Sequence, residues 1–134
     1  MGEDLPTLMR LHVCCDRAAP SAVRAALSSV AGIGRRRDDV MLVASELVSN
    51  AVLHSGCASG DMIEVRVERI AEHLLISVRD PGFSRTSARV SLTNERPFGG
   101  LGLRVIEQIA RRWGTERDHG YRVWAELAIS GSVD

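Results

Sequence analysis

The sequence predicts an α+β fold, a two-layer α/β sandwich in which one mixed, mostly antiparallel sheet carries three main helices on one face. Several segments alternate between apolar and polar residues, as strands with one buried face do. Three other segments repeat apolar residues at helical spacing, and one of them, residues 38–55, is apolar nearly all round, which is typical of a buried helix. Because the chain has 134 residues, we expect a single domain spanning residues 1–134, large enough for a real core.

The N-terminal part of the chain predicts a strand followed by a helix. Residues 8–15 alternate in polarity and predict a half-buried strand. Pro20 suits the first position of a helix, whose apolar spacing continues as far as Gly32 or Gly34. The basic residues 35–37 then form a short connector that we expect to be a solvated loop.

The central helix is predicted from near Val40, after an N-capping pair of aspartates, to Gly56, which suits the position after a helix end. Along it, Glu46, Asn50 and His54 recur at every fourth residue and therefore share one narrow stripe. An acid and an amide on a buried helix cost about 1–3 kcal/mol each when they lack partners. These side chains therefore belong either to a structural network or to a ligand site.

A hairpin is predicted from residues 62–70 and 74–79, whose apolar residues alternate cleanly. By the same alternation Asp80 points toward the core, and a carboxylate on a buried face is unusual. The following Pro81 and Gly82 break the strand.

The last third predicts a loop, a helix and a strand. Residues 84–98 are polar and longer than an ordinary connection, which indicates a mobile functional loop. The glycine-rich residues 99–102 open a helix that carries apolar residues as far as Trp113, and residues 121–129 predict the final strand. The predicted open face of the sheet is mostly charged, and we expect it to be exposed to water. Trp124 on this face either marks a contact surface or is present because tryptophan favours strands.

Composition excludes several functional classes. The 17 basic residues balance 17 acidic ones, so neither nucleic acid nor an anionic membrane is expected as a partner. No membrane span or secretory signal is present, and we expect a cytoplasmic protein. All the basic residues are Arg, which excludes a lysine-dependent phosphate loop. Cys14, Cys15 and Cys57 are odd in number and lack metal-ligand spacing, so we expect reduced thiols.

Three groups of residues converge on the layer between the sheet and the helices. Glycines 99–102 at a helix N-terminus suit phosphate. A buried Asp80 can accept a hydrogen bond from an exocyclic amine such as that of adenine, and Gly82 lets the backbone approach the ring. Asn50 offers an oxygen for Mg²⁺ bridging phosphates, and Glu46, one turn earlier, can take a proton from an attacking hydroxyl.

Each of these features also has a structural alternative. Asn50 and Asp80 would then form a buried hydrogen-bonded network without a ligand. The glycine cluster would be a hinge, and Glu46 would brace its helix without abstracting a proton.

The ordered motifs resemble a known family. ELVSNAVLH at 46–54, RDPGF at 79–83 and GGLGLRVI at 99–106 resemble the three ATP-site boxes of the Bergerat-fold (GHKL-type) ATPases, the group that holds gyrase, histidine kinases and mismatch-repair ATPases. In its short length and in the sequences of these three motifs, the chain is most similar to the anti-sigma-factor serine/threonine kinases of bacterial partner-switching systems. The similarity extends over nearly the whole chain.

The resemblance implies ATP and Mg²⁺ as cofactors. It implies that Asn50 binds the magnesium, that Asp80 binds the adenine amine, and that Glu46 is the base activating a serine hydroxyl. For His54 it favours a supporting role over catalysis. The implied nucleotide-binding residues are Asn50, Ala51, His54, Asp80, Gly82, Gly99, Gly100, Leu101, Gly102 and Leu103.

The resemblance also implies a function and partners. The first hypothesis is a protein serine/threonine kinase that phosphorylates a small anti-sigma-factor antagonist and forms a homodimer. The alternative is a non-catalytic, ATP-dependent binding module that sequesters a sigma factor or another regulator. A third hypothesis is slow ATP hydrolysis coupled to a conformational change, which we favour least because the chain has no transducer domain to receive the motion.

Overall fold

A computed structural model describes residues 6–58, 60–82, 102–117 and 119–129, with the backbone alone at residues 102 and 103. Its strands are β1 (Thr7–Cys14), β2 (Met62–Ile70), β3 (His73–Asp80), β4 (Arg112–Arg117) and β5 (Tyr121–Ala128), and its α-helices are α1 (Ala19–Leu27), α2 (Arg37–His54) and α3 (Gly102–Ile109). A short 3-10 helix, Gly34–Arg36, precedes α2.

The strands form one sheet in the order β1-β2-β3-β5-β4. All four strand pairings among the described residues are antiparallel. Helix α2 packs across β3, β2 and β5, while α1 packs on α2 and β1. The predicted two-layer α+β sandwich is therefore confirmed, with described strand pairings that are all antiparallel and not mixed as expected.

The core lies between the sheet and the helices, and it follows the predicted alternation. Val65 of β2, Ile76 of β3 and Ala125 of β5 are fully buried on the helix-facing side. From the other layer, Val43 and Val48 of α2 are equally buried. Burying a Val or Ile side chain stabilises the fold by roughly 1.5–3 kcal/mol, so this interface holds α2 against the sheet.

Helices α1 and α2 differ from the prediction at their ends. Helix α1 ends at Leu27, where the Arg37 guanidinium donates a 2.6 Å hydrogen bond to the Leu27 carbonyl oxygen. Helix α2 begins at Arg37, so Asp38 and Asp39 lie in its first turn and not at its N-cap. Carboxylates in a first turn favour the helix dipole. The expectation of a solvated loop at residues 35–37 was therefore wrong in part. Arg35 is exposed, but Arg35 and Arg36 belong to the 3-10 helix, and Arg37 starts α2 and contacts the end of α1. At the other end Gly56 has a φ of 83°, as predicted for the residue after the helix.

Strand β4 was not predicted. The sequence favoured a helix as far as Trp113, whereas α3 ends at Ile109 and β4 follows at Arg112. The change of structure occurs where the Arg111 N–H donates to the Glu126 carbonyl oxygen. Pairing with β5 places Trp113 beside Ala125. Trp113 therefore packs against the core as predicted, but from a strand and not from a helix. Tertiary pairing thus overrides local spacing.

The open face of the sheet is more covered than predicted. Glu68 and Ser77 on this face are only 6% and 5% exposed. The Arg66 guanidinium lies 3.6 Å from the Glu68 carboxylate, so this buried acid has a cationic partner on the open face. Trp124 lies over Gly114, with the Arg112 guanidinium 5.8 Å from its ring, which gives Trp124 a packing role on this face.

The expectation of three reduced cysteines was wrong. Cys15 and Cys57 form a disulfide with Cα atoms 6.2 Å apart, whereas Cys14 is free and exposed. Cys15 follows β1 on the helix-facing side, and Cys57 follows the end of α2. A separation of 42 residues in sequence hides a contact that only the folded chain creates.

Candidate nucleotide site

A pocket opens between α2 and one end of the sheet. Its lining residues are Leu47, Asn50 and Ala51 from α2, Val78 and Asp80 from β3, and Tyr121 and Val123 from β5. The walls are mostly apolar, with one carboxylate and one amide among them. Such a surface suits a flat organic ring that needs a small number of directed hydrogen bonds.

Asp80 is the last residue of β3 and is 5% exposed, on the buried face that its position predicted. The backbone N–H of Gly82 donates a 2.6 Å hydrogen bond to Asp80 Oδ1. This contact closes a local turn that fixes the carboxylate at the pocket wall. The sequence therefore predicted both the position and the burial of this acid.

Two glycines let the pocket rim pack backbone against backbone. Gly82 has a φ of 78°, and a Cβ atom there would lie 3.0 Å from Gly120 Cα. Gly120 has a φ of 117°, and its Cβ would overlap the Asp80 carbonyl oxygen. Positive φ and this close approach both require glycine. The start of β5 is thereby held against the residues that follow β3.

The polar stripe of α2 is confirmed as a stripe, but it reaches the pocket only in part. Glu46, Asn50 and His54 are all half-buried. Of these, only Asn50 lines the pocket. Glu46 lies one turn before it, and burial raises the Glu46 pKa although the nearby Arg24 cation lowers it. Burial lowers the pKa of His54, which favours the neutral imidazole.

The glycine-rich motif falls largely outside the described residues. Gly99, Gly100 and Leu101 lie there, as does the loop predicted at residues 84–98. Gly102 and Leu103 form the start of α3, which packs on α2.

Several pocket residues were not predicted as site residues: Leu47, Val78, Tyr121 and Val123. Each lies in a segment that the sequence predicted as a helix or a strand. The strand order that places β5 beside β3 was the missing information, because it brings Tyr121 directly opposite Asp80. Alternation in the last strand was the available signal, since it pointed Tyr121 toward the helices.

The described residues offer no other kind of site of two common types. Among the described residues, no group of three or more His, Cys, Asp or Glu side chains could hold a metal ion. In the same part of the chain, no helix is long and apolar enough to cross a membrane.

Comparisons with solved structures reveal the same architecture elsewhere. The crystal structure of the RsbU and RsbW domains of Rv1364c from Mycobacterium tuberculosis matches with a TM-score of 0.62 and 20% identity, covering 90% of this chain and 32% of that chain. The Acinetobacter baumannii histidine kinase AdeS matches with a TM-score of 0.52 and 15% identity, covering 92% of this chain and 69% of that one. This chain thus spans about a third of the first structure. At these identities the likeness concerns the fold.

The sequence itself assigns the family. No curated protein matches it significantly, but residues 16–126 match the family described as the histidine kinase-like ATPase domain. A family of ATPase domains implies ATP binding, usually with Mg²⁺, and the match agrees with the Bergerat-fold resemblance of the three motifs. Since the matched region includes the whole lining of the pocket, we conclude that the chain belongs to the histidine kinase-like ATPase domain family.

Proposed function

We propose that this protein is an ATP-dependent regulator that phosphorylates a serine or threonine hydroxyl on a small antagonist protein. The observation that carries the proposal is the pocket itself, where the fixed Asp80 carboxylate and the Asn50 amide face the same space. The donor chemistry fits ATP. The buried carboxylate suits an adenine amine, and the apolar walls suit its ring.

The roles follow from chemistry and from the family's motifs. Asp80 would accept the hydrogen bond of the adenine amine, with Gly82 at the edge of the ring. Asn50 would ligate magnesium, which supplies charge neutralisation along the phosphates. The remaining members of the proposed binding set are Ala51, His54, Gly99, Gly100, Leu101, Gly102 and Leu103.

Glu46 is the proposed general base. Its position one turn from Asn50 puts it on the side of the helix that the phosphates would approach. There it would take the proton that the partner's hydroxyl loses as its oxygen bonds to the γ-phosphorus of ATP. The bond from that phosphorus to the β,γ-bridging oxygen would break, and ADP would leave. A carboxylate whose pKa is raised by burial is a stronger base than an exposed one, which suits this task.

The proposal also commits to partners. The antagonist protein would bind near Glu46, and a sigma factor would be the regulated partner. A cytoplasmic homodimer is the proposed assembly. The similarity of the motifs to anti-sigma-factor kinases supports these partners.

The test is phosphotransfer from labelled ATP with Mg²⁺ to the partner protein recovered on the immobilised chain. We expect labelled serine or threonine with the unaltered protein and a loss of about 10²–10⁴-fold in rate for Glu46→Gln. Glu72→Gln is the matched control, because Glu72 is exposed in the turn between β2 and β3. Equal rates for both variants would exclude Glu46 as the base, and no transfer to a verified partner would exclude the kinase.

One observation favours the non-catalytic alternative, which is that Glu46 does not line the pocket. In that case the chain would bind ATP as a switch and sequester a regulator without chemistry. Asn50→Ala would then weaken both nucleotide and partner binding, while Glu46→Gln would change neither. Partner affinity measured with and without ATP separates the two functions, since an unchanged affinity would contradict the switch.

A further inference from the structure

Tyr121 occupies a position in the pocket that none of the roles above uses. It is the first residue of β5 and is 7% exposed. It pairs directly with Asp80 across the β3–β5 ladder, and both side chains line the pocket. Side chains opposite each other on one face of an antiparallel pair are close neighbours. A base held by Asp80 would therefore meet Tyr121 next.

The Tyr121 ring also contacts the Arg117 side chain. The Arg117 guanidinium carbon lies 5.5 Å from the centroid of the ring. The same side chain donates a 3.4 Å hydrogen bond from Nη1 to the Gly82 carbonyl oxygen. A cation over an aromatic face is attracted by the ring electrons. Arg117 thus links the ring to the turn that fixes Asp80.

A carboxylate alone does not discriminate well among the nucleotide bases. Adenine and cytosine both present an exocyclic amine donor, whereas guanine presents a carbonyl acceptor at the corresponding edge. Guanine nevertheless offers its own N–H donors at the neighbouring positions, so Asp80 can accept a hydrogen bond from adenine, cytosine or guanine. Selection of adenine over cytosine therefore needs a second contact, one that responds to the size of the flat ring.

We propose that Tyr121 is this specificity-determining residue and that its ring contacts the base, favouring a purine over a pyrimidine. The inference rests on the proposed nucleotide binding and extends it to base selection. A bicyclic base offers a larger flat surface to an aromatic side chain than a single ring does. Arg117 is the corresponding positioning residue, because it acts through the Tyr121 ring.

The experiment measures equilibrium binding of ATP, CTP and inorganic tripolyphosphate, each with Mg²⁺, by calorimetry. Tyr121→Leu keeps an apolar side chain in the pocket but removes the aromatic ring. We expect it to lower the ratio of ATP affinity to CTP affinity by about three- to tenfold. Its affinity for tripolyphosphate should not change, because that ligand has no base.

Two further variants make the result specific to the ring. Tyr121→Phe keeps the ring and should keep the ATP-to-CTP ratio within about twofold of the original. Trp124→Ala is the matched control, since it removes an aromatic ring from the open face of the same strand, and it should leave the ratio unchanged. Circular dichroism verifies that each variant is folded.

The outcomes separate this inference from the function on which it rests. If the unaltered chain binds ATP and Tyr121→Leu keeps its ATP-to-CTP ratio, base contact by Tyr121 is excluded and the proposed function stands. A ratio that falls as far in Tyr121→Phe as in Tyr121→Leu would also exclude the ring contact. If the unaltered chain binds no ATP at all, the proposed function and this inference fail together.

Discussion

The acidic side chains on the two faces of the sheet have different surroundings. On the open face, Glu126 lies 2.7 Å from Arg112 and 3.2 Å from His73, and Glu64 lies within 4.0 Å of several arginines. On the helix-facing side, Asp80 is held by the backbone N–H of Gly82. Glu64 and Glu126 on the open face lie beside arginine or histidine side chains, whereas Asp80 lies in the wall of the pocket, where the proposed nucleotide would bind.

The cysteines extend the same comparison and give the largest expected effect. Cys15, on the helix-facing side, is bonded to Cys57, whereas its neighbour Cys14 is free. The bond joins the end of β1 to the chain after α2 and closes a loop with a sequence separation of 42. Cys57→Ser should lower the free energy of unfolding by about 4 kcal/mol, because the unfolded chain is no longer constrained.

Urea denaturation with and without a reductant tests this prediction. The reduced protein and Cys57→Ser should unfold at the same urea concentration, well below that of the oxidised protein. Cys14→Ser is the control and should behave like the unaltered chain. A reductant that leaves the transition unchanged would contradict the stabilising role of the disulfide.

Replacing one acid on each face tests the comparison directly. Asp80→Asn removes the charge from the pocket, and ATP affinity should fall by roughly tenfold to a hundredfold, the range for losing a charged hydrogen bond. Glu126→Gln removes a charge of the open face and should leave ATP affinity unchanged. Calorimetry with Mg²⁺ measures both. Equal losses in the two variants would show that the faces are not functionally distinct.

A packing change on the open face has a smaller expected effect. Gly114 lies beneath Trp124, and a Cβ there would be 2.8 Å from Trp124 Cζ2. Gly114→Ala should therefore destabilise the fold by about 1–3 kcal/mol, since it displaces the indole, while ATP affinity is retained. Gly60→Ala is the control, because among the described residues no atom beyond its chain neighbours lies within 4 Å of a Cβ at Gly60. Thermal unfolding of both variants measures the difference.

The sequence predicted the features that depend on neighbouring residues and missed those that depend on pairing between distant segments. Alternation is local, so it correctly placed Val65 and Ile76 in the core and Asp80 on the buried face. Family motifs added the pocket's main polar residues. Strand β4 was missed because its pairing with β5, and not its own residues, decides its structure.

The sequence analysis missed the disulfide and the contribution of Tyr121 to the pocket for the same reason. Cys15 meets Cys57, and Tyr121 meets Asp80, only after distant segments have paired. Gly120 likewise gains its meaning from a close approach to Asp80 that no local pattern shows. The roles assigned to Gly99 and Gly100 stay predictions, because these residues lie outside the described part of the chain.

The smallest expected effect concerns Glu46, an acid at the boundary between the two environments. Its pKa is raised by burial more than Arg24 lowers it. The folded protein therefore binds this proton more tightly than the unfolded chain, so the stability that Glu46 contributes is present at low pH and is lost as the pH rises through its folded pKa. Glu46→Gln cannot ionise, and at pH 7 it should melt a few degrees higher at most than the unaltered protein without nucleotide.

Below pH 4.5, the ordinary value for glutamate, the two melting temperatures should converge, because Glu46 is then protonated in both the folded and the unfolded chain. Glu72→Gln, at the exposed turn, is the control and should give no such pH-dependent difference. A constant offset at every pH would assign the effect to packing and not to ionisation. A Glu46→Gln variant that gains stability at pH 7 while losing phosphotransfer would indicate that the chain retains a destabilising charge because catalysis requires it.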